Sequence, residues 1–217
     1  MRKFGNTGME IKRVGFGGIP IQRISQEDTN KVIDELEKCG VNFIDTARGY
    51  TISEEYLGNA LKGRREKFYI ATKSMSRDYE SMKKDIEISL KNLQIDYIDL
   101  YQMHNVKPAE YDTIFGEDRA YRALLEAKEA GKIKHIGITS HGLETVEKAV
   151  ESGKFETIQF PYNIVENQAD EVFKKAHEKG VGTIVMKPLA GGAIDDGTLA
   201  MKYILSREYI DVAIPGM

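Results

Sequence analysis

The sequence predicts an α/β chain of eight parallel strands and seven helices, a (β/α)8 barrel entered through a β-hairpin. Three observations carry this. Short apolar runs alternate with amphipathic helical segments along all 217 residues, at roughly 28 residues per unit. Several runs are apolar without alternation, as parallel strands covered on both faces require. The turn after the first run reads GFGG. A doubly wound dinucleotide sheet would carry GxGxxG there and would use fewer strands.

The opening RKFGNTGMEIKRV predicts a hairpin turning around Gly5-Asn6 and Gly8 and capping the barrel bottom. The strands follow in order as VGFGG (14–18), VNFIDTA (41–47), KFYIATK (67–73), YIDLYQMH (97–104), HIGITS (135–140), TIQFPYN (157–163), VGTIVMKP (181–188) and VAIPGM (212–217). Ser25 and Asp28 form a capping box ahead of Val32, Ile33 and Leu36, and Gly40 ends that helix. Met82, Ile86, Leu90 and Leu93 share one helical face, and so do Tyr121, Leu124 and Leu125 before Gly131. Val146 and Val150 precede Gly153, and Asn167 caps a helix carrying Val172, Phe173 and Ala176 that closes at Gly180. Leu199, Tyr203 and Ile204 mark the seventh helix. The sequence is read as a single domain over 1–217 that stops after strand eight, with the eighth helix and a C-terminal loop missing. Apolar surface beside strands one and eight is therefore expected to be exposed, or covered by a second copy or a further C-terminal module.

Composition narrows the function classes. With 41% hydrophobic and 30% charged residues the chain is an ordinary globular protein, and 31 basic against 34 acidic residues favour neither nucleic acid nor an anionic membrane as partner. The lone Cys39 excludes a disulfide framework and any Cys-ligated metal or iron–sulfur site made by this chain alone, and no metal is expected. No signal peptide or membrane span is evident, so a cytoplasmic setting is expected.

The chemistry gathers at strand ends, which in such a barrel form one mouth. Strand two delivers Asp45, with Tyr50 in the loop beyond; strand three ends in Lys73 and strand four in His104. An unpaired buried carboxylate is costly, so Asp45 is expected to face Lys73. Lys73 beside Tyr50 would draw the phenol down from its usual pKa of about 10 and suit it to proton transfer. His104 would donate a hydrogen bond to a carbonyl oxygen on which charge develops. Singly, each has an ordinary explanation: a turn cap, a rim aromatic, a solvated lysine, a core histidine. As a set in this order they are specific.

In FIDTARGY, SEEYLGNAL, FYIATK and DLYQMH, taken in this order, the whole chain resembles an aldo-keto reductase. The resemblance implies NADPH-dependent reduction of an aldehyde or ketone, with NADH possible, and a catalytic tetrad of Asp45, Tyr50, Lys73 and His104 with Tyr50 as general acid. It further implies cofactor contacts at Gly18, Asp45, Ser140, His141 and Gln159, with Asn163 in the same motif. Along MKPLAGG (186–192) the implied contacts are Met186, Lys187, Pro188, Leu189, Gly191 and Gly192. His141 stands where the family more often has Asn, and Met186 where many members stack an aromatic on the nicotinamide. The segment that grips the adenosine 2′-phosphate, after IPG, is not in this sequence. PLAGG and VAIPGM also resemble a bacterial and archaeal branch whose members often carry a ferredoxin-like tail.

Two rival functions use the same residues. One is a nucleotide-binding or regulatory subunit with little catalysis, since barrel scaffolds host many functions. The other is a Schiff-base lyase on Lys73, which pairing with Asp45 disfavours. The long loop 105–119 begins beside His104. Its Tyr111, Ile114 and Phe115, with Ile19 and Ile21 after strand one, either line an apolar substrate pocket or pack on neighbouring helices.

Overall fold

The computed structural model describes residues 1–216; Met217, the last residue of the VAIPGM run, lies outside the described residues. The hairpin comes first, β1 (Arg2–Lys3) antiparallel to β2 (Glu10–Ile11) with Arg2 opposite Ile11. Its turn uses Gly5 and Gly8, both at positive φ, where glycine carries no Cβ penalty.

Eight parallel strands follow: β3 (Phe16–Gly17), β4 (Phe43–Asp45), β5 (Tyr69–Ser74), β6 (Ile98–Met103), β7 (Ile133–Thr139), β8 (Thr157–Pro161), β9 (Gly182–Met186) and β10 (Val212–Ala213). They pair in sequence order from β3 to β10. The two edges then meet. Val14 bridges Ala213 in parallel, Gly15 N–H donates to the Ala213 carbonyl at 2.9 Å, and Gly17 N–H donates to the Pro215 carbonyl at 2.9 Å. The sheet is thus closed on itself.

Seven helices cover it: α1 (Gln26–Lys38), α2 (Ser53–Ala60), α3 (Tyr79–Leu93), α4 (Ala120–Glu129), α5 (Leu143–Ser152), α6 (Asp170–Glu178) and α7 (Gly197–Leu205). Ser25 caps α1 by accepting from Asp28 N–H at 3.0 Å. Asn167 does not cap α6; Ala169 holds that position, and the Asn167 amide donates instead to the Tyr203 hydroxyl at 3.3 Å. Leu125 faces solvent, because Ala120, Ala123, Leu124 and Ala127 fill the buried face of α4.

Two apolar cores result. The larger lies between the outer face of the sheet and the helices. The smaller fills the barrel interior, where Phe4, Met9 and Ile11 of the hairpin region plug the bottom against Phe43, Ala71, Leu100, Ile184 and Val212. The bare apolar face expected beside strands one and eight is not found among the described residues: Ile33, Leu36, Val212 and Ala213 are buried. The Arg13 guanidinium closes that side by donating to the Leu205, Arg207 and Ile210 carbonyls at the end of α7. No helix among the described residues is long and apolar enough to cross a membrane.

Candidate active site

Period-two alternation sets the site. In β4, β5 and β6 the inward positions are Phe43 and Asp45, Ala71 and Lys73, and Leu100 and Gln102, so an apolar layer near the bottom gives way to a polar layer above it. One step beyond β6 stands His104, its N–H held by the Ser74 carbonyl at 2.8 Å. Above this layer opens a cleft of about 540 Å³.

Lys73 donates to Asp45 Oδ2 at 2.5 Å and to the Thr46 carbonyl at 2.7 Å, with both charged side chains almost wholly buried. Gln102 Nε2 donates to the other oxygen, Asp45 Oδ1, at 3.0 Å. Burial pushes the Asp45 carboxyl above its ordinary value, opposed first by Lys73 and then by the hydrogen bonds.

Tyr50 reaches over this pair from the loop after β4. Lys73 Nζ lies 4.9 Å from its ring centroid, and the His104 ring meets it edge-on at 6.0 Å. The expected lowering of the Tyr50 pKa is not found. Burial holds the phenol above its usual value and outweighs Lys73, whose charge is shared with Asp45. Tyr50 is therefore a protonated phenol at neutral pH. His104 is pushed down to about 3 by burial and then by the charges of Lys73 and Arg77, so it is a neutral imidazole. Its Nδ1 is buried without a partner among the described residues.

Gly18, His141, Gln159, Met186, Lys187, Pro188, Leu189, Gly191 and Gly192 all line the same cleft as Asp45, Tyr50, Lys73 and His104. Ser140 does not. It is fully buried, donates to the Val106 carbonyl at 2.6 Å and accepts from Gly142 N–H at 2.9 Å, so its hydroxyl fixes the turn into α5. Asn163 is also turned inward; it donates to the Lys187 carbonyl at 3.2 Å and accepts from the Val165 and Glu166 amides.

These residues fit a nicotinamide dinucleotide. Gln159 Oε1 is buried and unpartnered among the described residues, an acceptor suited to a carboxamide NH2. Lys187, Ala190, Gly191 and Gly192 run through the left-handed region at φ 54°, 49°, 69° and 99°. Nothing lies within 4 Å of where a Cβ would stand on Gly191 or Gly192, so that backbone is open to a phosphate. Burial and Lys187 lower the His141 pKa, leaving a neutral ring able to donate.

Of the residues considered for a substrate pocket, Ile19 lines the cleft while Ile21 is fully buried. Tyr111 and Phe115 stack edge-on at 5.2 Å and pack with Tyr121 and Phe155 over α4, so the helix-packing alternative holds for them. Gln102, Thr139, Ile214 and Pro215 escaped sequence reasoning. For Gln102 the signal was present: it stands two residues before His104, on the same strand face.

The aldo/keto reductase family model matches residues 13–209. The chain belongs to the aldo-keto reductase family. It is 31% identical over 216 residues to L-galactose dehydrogenase of Arabidopsis thaliana, covering 90% of this chain and 67% of that protein. The aldo-keto reductase YhdN of Bacillus subtilis is 30% identical over 214 residues, covering 87% of this chain and 62% of its own length. The NADH-specific methylglyoxal reductase of Escherichia coli is 28% identical over 231 residues, 92% of this chain and 70% of that protein. This aldo-keto reductase chain therefore spans 62% to 70% of the length of these curated relatives. The holo form of an aldo-keto reductase from Bacillus halodurans superposes with a TM-score of 0.85 at 25% identity, covering 100% of this chain and 85% of that one.

Proposed function

We propose that this chain reduces an aldehyde or ketone with hydride from NADPH or NADH, Tyr50 serving as general acid. The observation that carries the reading is the meeting of a buried Lys73–Asp45 pair, a protonated Tyr50 and a neutral His104 in one cleft. Membership of a family of oxidoreductases acting on carbonyl compounds supports it.

A nicotinamide held by Gln159, Met186 and the 187–192 strap would supply hydride to the carbonyl carbon. The chain's own residues handle the oxygen. His104, neutral, donates a hydrogen bond to it and so favours the charge that builds there. The Tyr50 hydroxyl gives its proton to that oxygen as the C=O bond becomes a C–O single bond. Lys73, 4.9 Å from the Tyr50 ring, stabilises the phenolate left behind until solvent reprotonates it. Asp45 and Gln102 hold Lys73 in place. Because the Lys73 ammonium is tied to Asp45 and Thr46, Schiff-base chemistry at Lys73 is disfavoured. Lys187 at the strap offers charge for a pyrophosphate.

NADPH and NADH, titrated separately and followed by nicotinamide fluorescence, should each report on the cleft with little interference, because the chain has no Trp. Saturable binding together with cofactor consumption on adding aldehydes and ketones is the expected result. Tight binding with no consumption across a broad carbonyl panel would instead favour a nucleotide-binding or regulatory subunit.

A further inference from the structure

The SEEYLGNAL segment holds a charged centre that takes no part in the chemistry above. Glu54 is 1% exposed and does not line the cleft; it lies on the other side of the barrel wall. Four donors converge on its carboxylate: Arg48 Nη1 at 2.5 Å, Thr72 Oγ1 at 2.8 Å, Ser89 Oγ at 2.8 Å and Asn92 Nδ2 at 3.4 Å. The loop after β4, strand β5 and helices α2 and α3 thus meet at one side chain. Gly58 allows the approach, since a Cβ there would lie 2.3 Å from the Asn92 carbonyl oxygen.

Stability is a weak reason to bury such a pair, because desolvation offsets most of the attraction and an apolar pair of similar volume would serve as well. A buried ion pair is better suited to fixing one arrangement among several. What this one fixes is the loop that carries Tyr50. Arg48 lies before Tyr50 in the chain and Glu54 after it, so their contact joins the two feet of the loop. A second staple lies beside it, Thr46 Oγ1 to Ser53 Oγ at 2.9 Å. The Arg48 N–H also donates to the Lys73 carbonyl at 2.9 Å, tying the loop to the strand that carries the lysine.

The loop needs such support. Thr51, next to Tyr50, has φ 41°, a conformation that a β-branched residue adopts only when its surroundings impose it. With the staples released, Thr51 is expected to relax and the phenol to swing with it.

We propose that Glu54, acting through Arg48, is a positioning residue that sets the Tyr50 hydroxyl against Lys73. Its effect on turnover rests on the reading given under Proposed function; its effect on Tyr50 does not. In Glu54→Gln the negative charge opposite Arg48 is lost and one oxygen is left to accept where two served four donors, so the hold on the guanidinium is weakened. Arg48→Lys is the milder second variant, since Arg48 is part-exposed and a lysine keeps the charge but loses the planar fork.

The test uses the full chain with ring-labelled tyrosine, the Tyr50 resonance being assigned by its loss in Tyr50→Phe. In Glu54→Gln and Arg48→Lys the Tyr50 signal should move and its titration shift. The kcat for carbonyl reduction should fall by about 100-fold in Glu54→Gln, the scale of a displacement of about 1 Å, while cofactor affinity stays as in the parent. An unmoved Tyr50 signal in both variants overturns the proposal. So does a kcat that falls only in step with the folded fraction and cofactor affinity. A Tyr50 signal that moves in a protein whose parent form reduces no carbonyl would sustain the positioning role and remove the reductase reading.

Discussion

Three aspartates are buried among the described residues, Asp45, Asp99 and Asp211, and the two most deeply buried, Asp211 and Asp45, stand one at each end of the barrel and are partnered in different ways. Asp211, at the bottom, accepts from Arg2 Nε at 2.9 Å, from Gly5 N–H at 3.3 Å and from Thr183 N–H at 3.1 Å. Two of those donors are backbone, and the third comes from a side chain that reaches solvent. Asp211 fastens the hairpin to β9. Asp45, at the mouth, has a lysine as buried as itself and one glutamine whose Oε1 is left without a partner among the described residues. Both oxygens of Asp211 are thus partnered, although Arg13 Nε, Arg65 Nε and Thr157 Oγ1 near the strand starts lack partners among the described residues. The mouth keeps polar atoms unspent, on Gln102, Gln159 and His104, and the left-handed residues Thr51, Asn105, Lys187 and Ala190 also lie in its loops. Unsatisfied groups and strained backbone lower stability and are kept where something is to be bound.

The sharpest way to break this contrast is to remove the cation at each end. Lys73→Met leaves Asp45 buried and uncompensated, and should lower unfolding free energy by about 3–5 kcal/mol by urea titration. Arg2→Met leaves Asp211 its two backbone donors and should lower it by about 1 kcal/mol. Equal losses would show that the two carboxylates are held alike. Phe4→Ala, in the plug where Phe4 meets Phe43 edge-on at 5.5 Å, should lower stability by about 3 kcal/mol and leave cofactor affinity untouched. A fall in affinity would mean that bottom and mouth are coupled.

Acidification gives a smaller effect confined to the mouth. In the unfolded chain His104 takes up a proton as pH falls below 6.5, whereas in the folded chain it stays neutral to about 3. Protonation therefore favours unfolding: the contribution is whole above 6.5, declines by at most about 1.4 kcal/mol per pH unit below it, and is gone below about 3. Urea midpoints measured between pH 7 and pH 4 should fall less steeply in His104→Gln than in the parent. Parallel slopes would place the histidine in a solvated setting.

Much of this was legible in the sequence. Apolar runs at even spacing specify the strands, the hairpin glycines specify the plug, and a carboxylate closing an apolar strand implies a buried cation, which is Lys73. What the sequence hid depends on distances across the fold. Asn167 reads as a cap until Tyr203, 36 residues away, takes its amide. Ser140 reads as a ligand until the Val106 carbonyl takes its hydroxyl. The sign of the Tyr50 shift turns on how much of the Lys73 charge Asp45 cancels and how deeply the phenol is buried, and neither is written in local pattern. Glu54 sits in a conspicuous motif, yet its four partners lie on three other segments.

The measurement that bears most directly on the account is carbonyl-dependent oxidation of NADPH by the parent chain and by Tyr50→Phe, each with its cofactor dissociation constant. Loss of a general acid predicts turnover slowed by about a thousandfold with cofactor affinity unchanged. Parent-level turnover in Tyr50→Phe would contradict the assignment of the acid and, with it, the reading of the mouth.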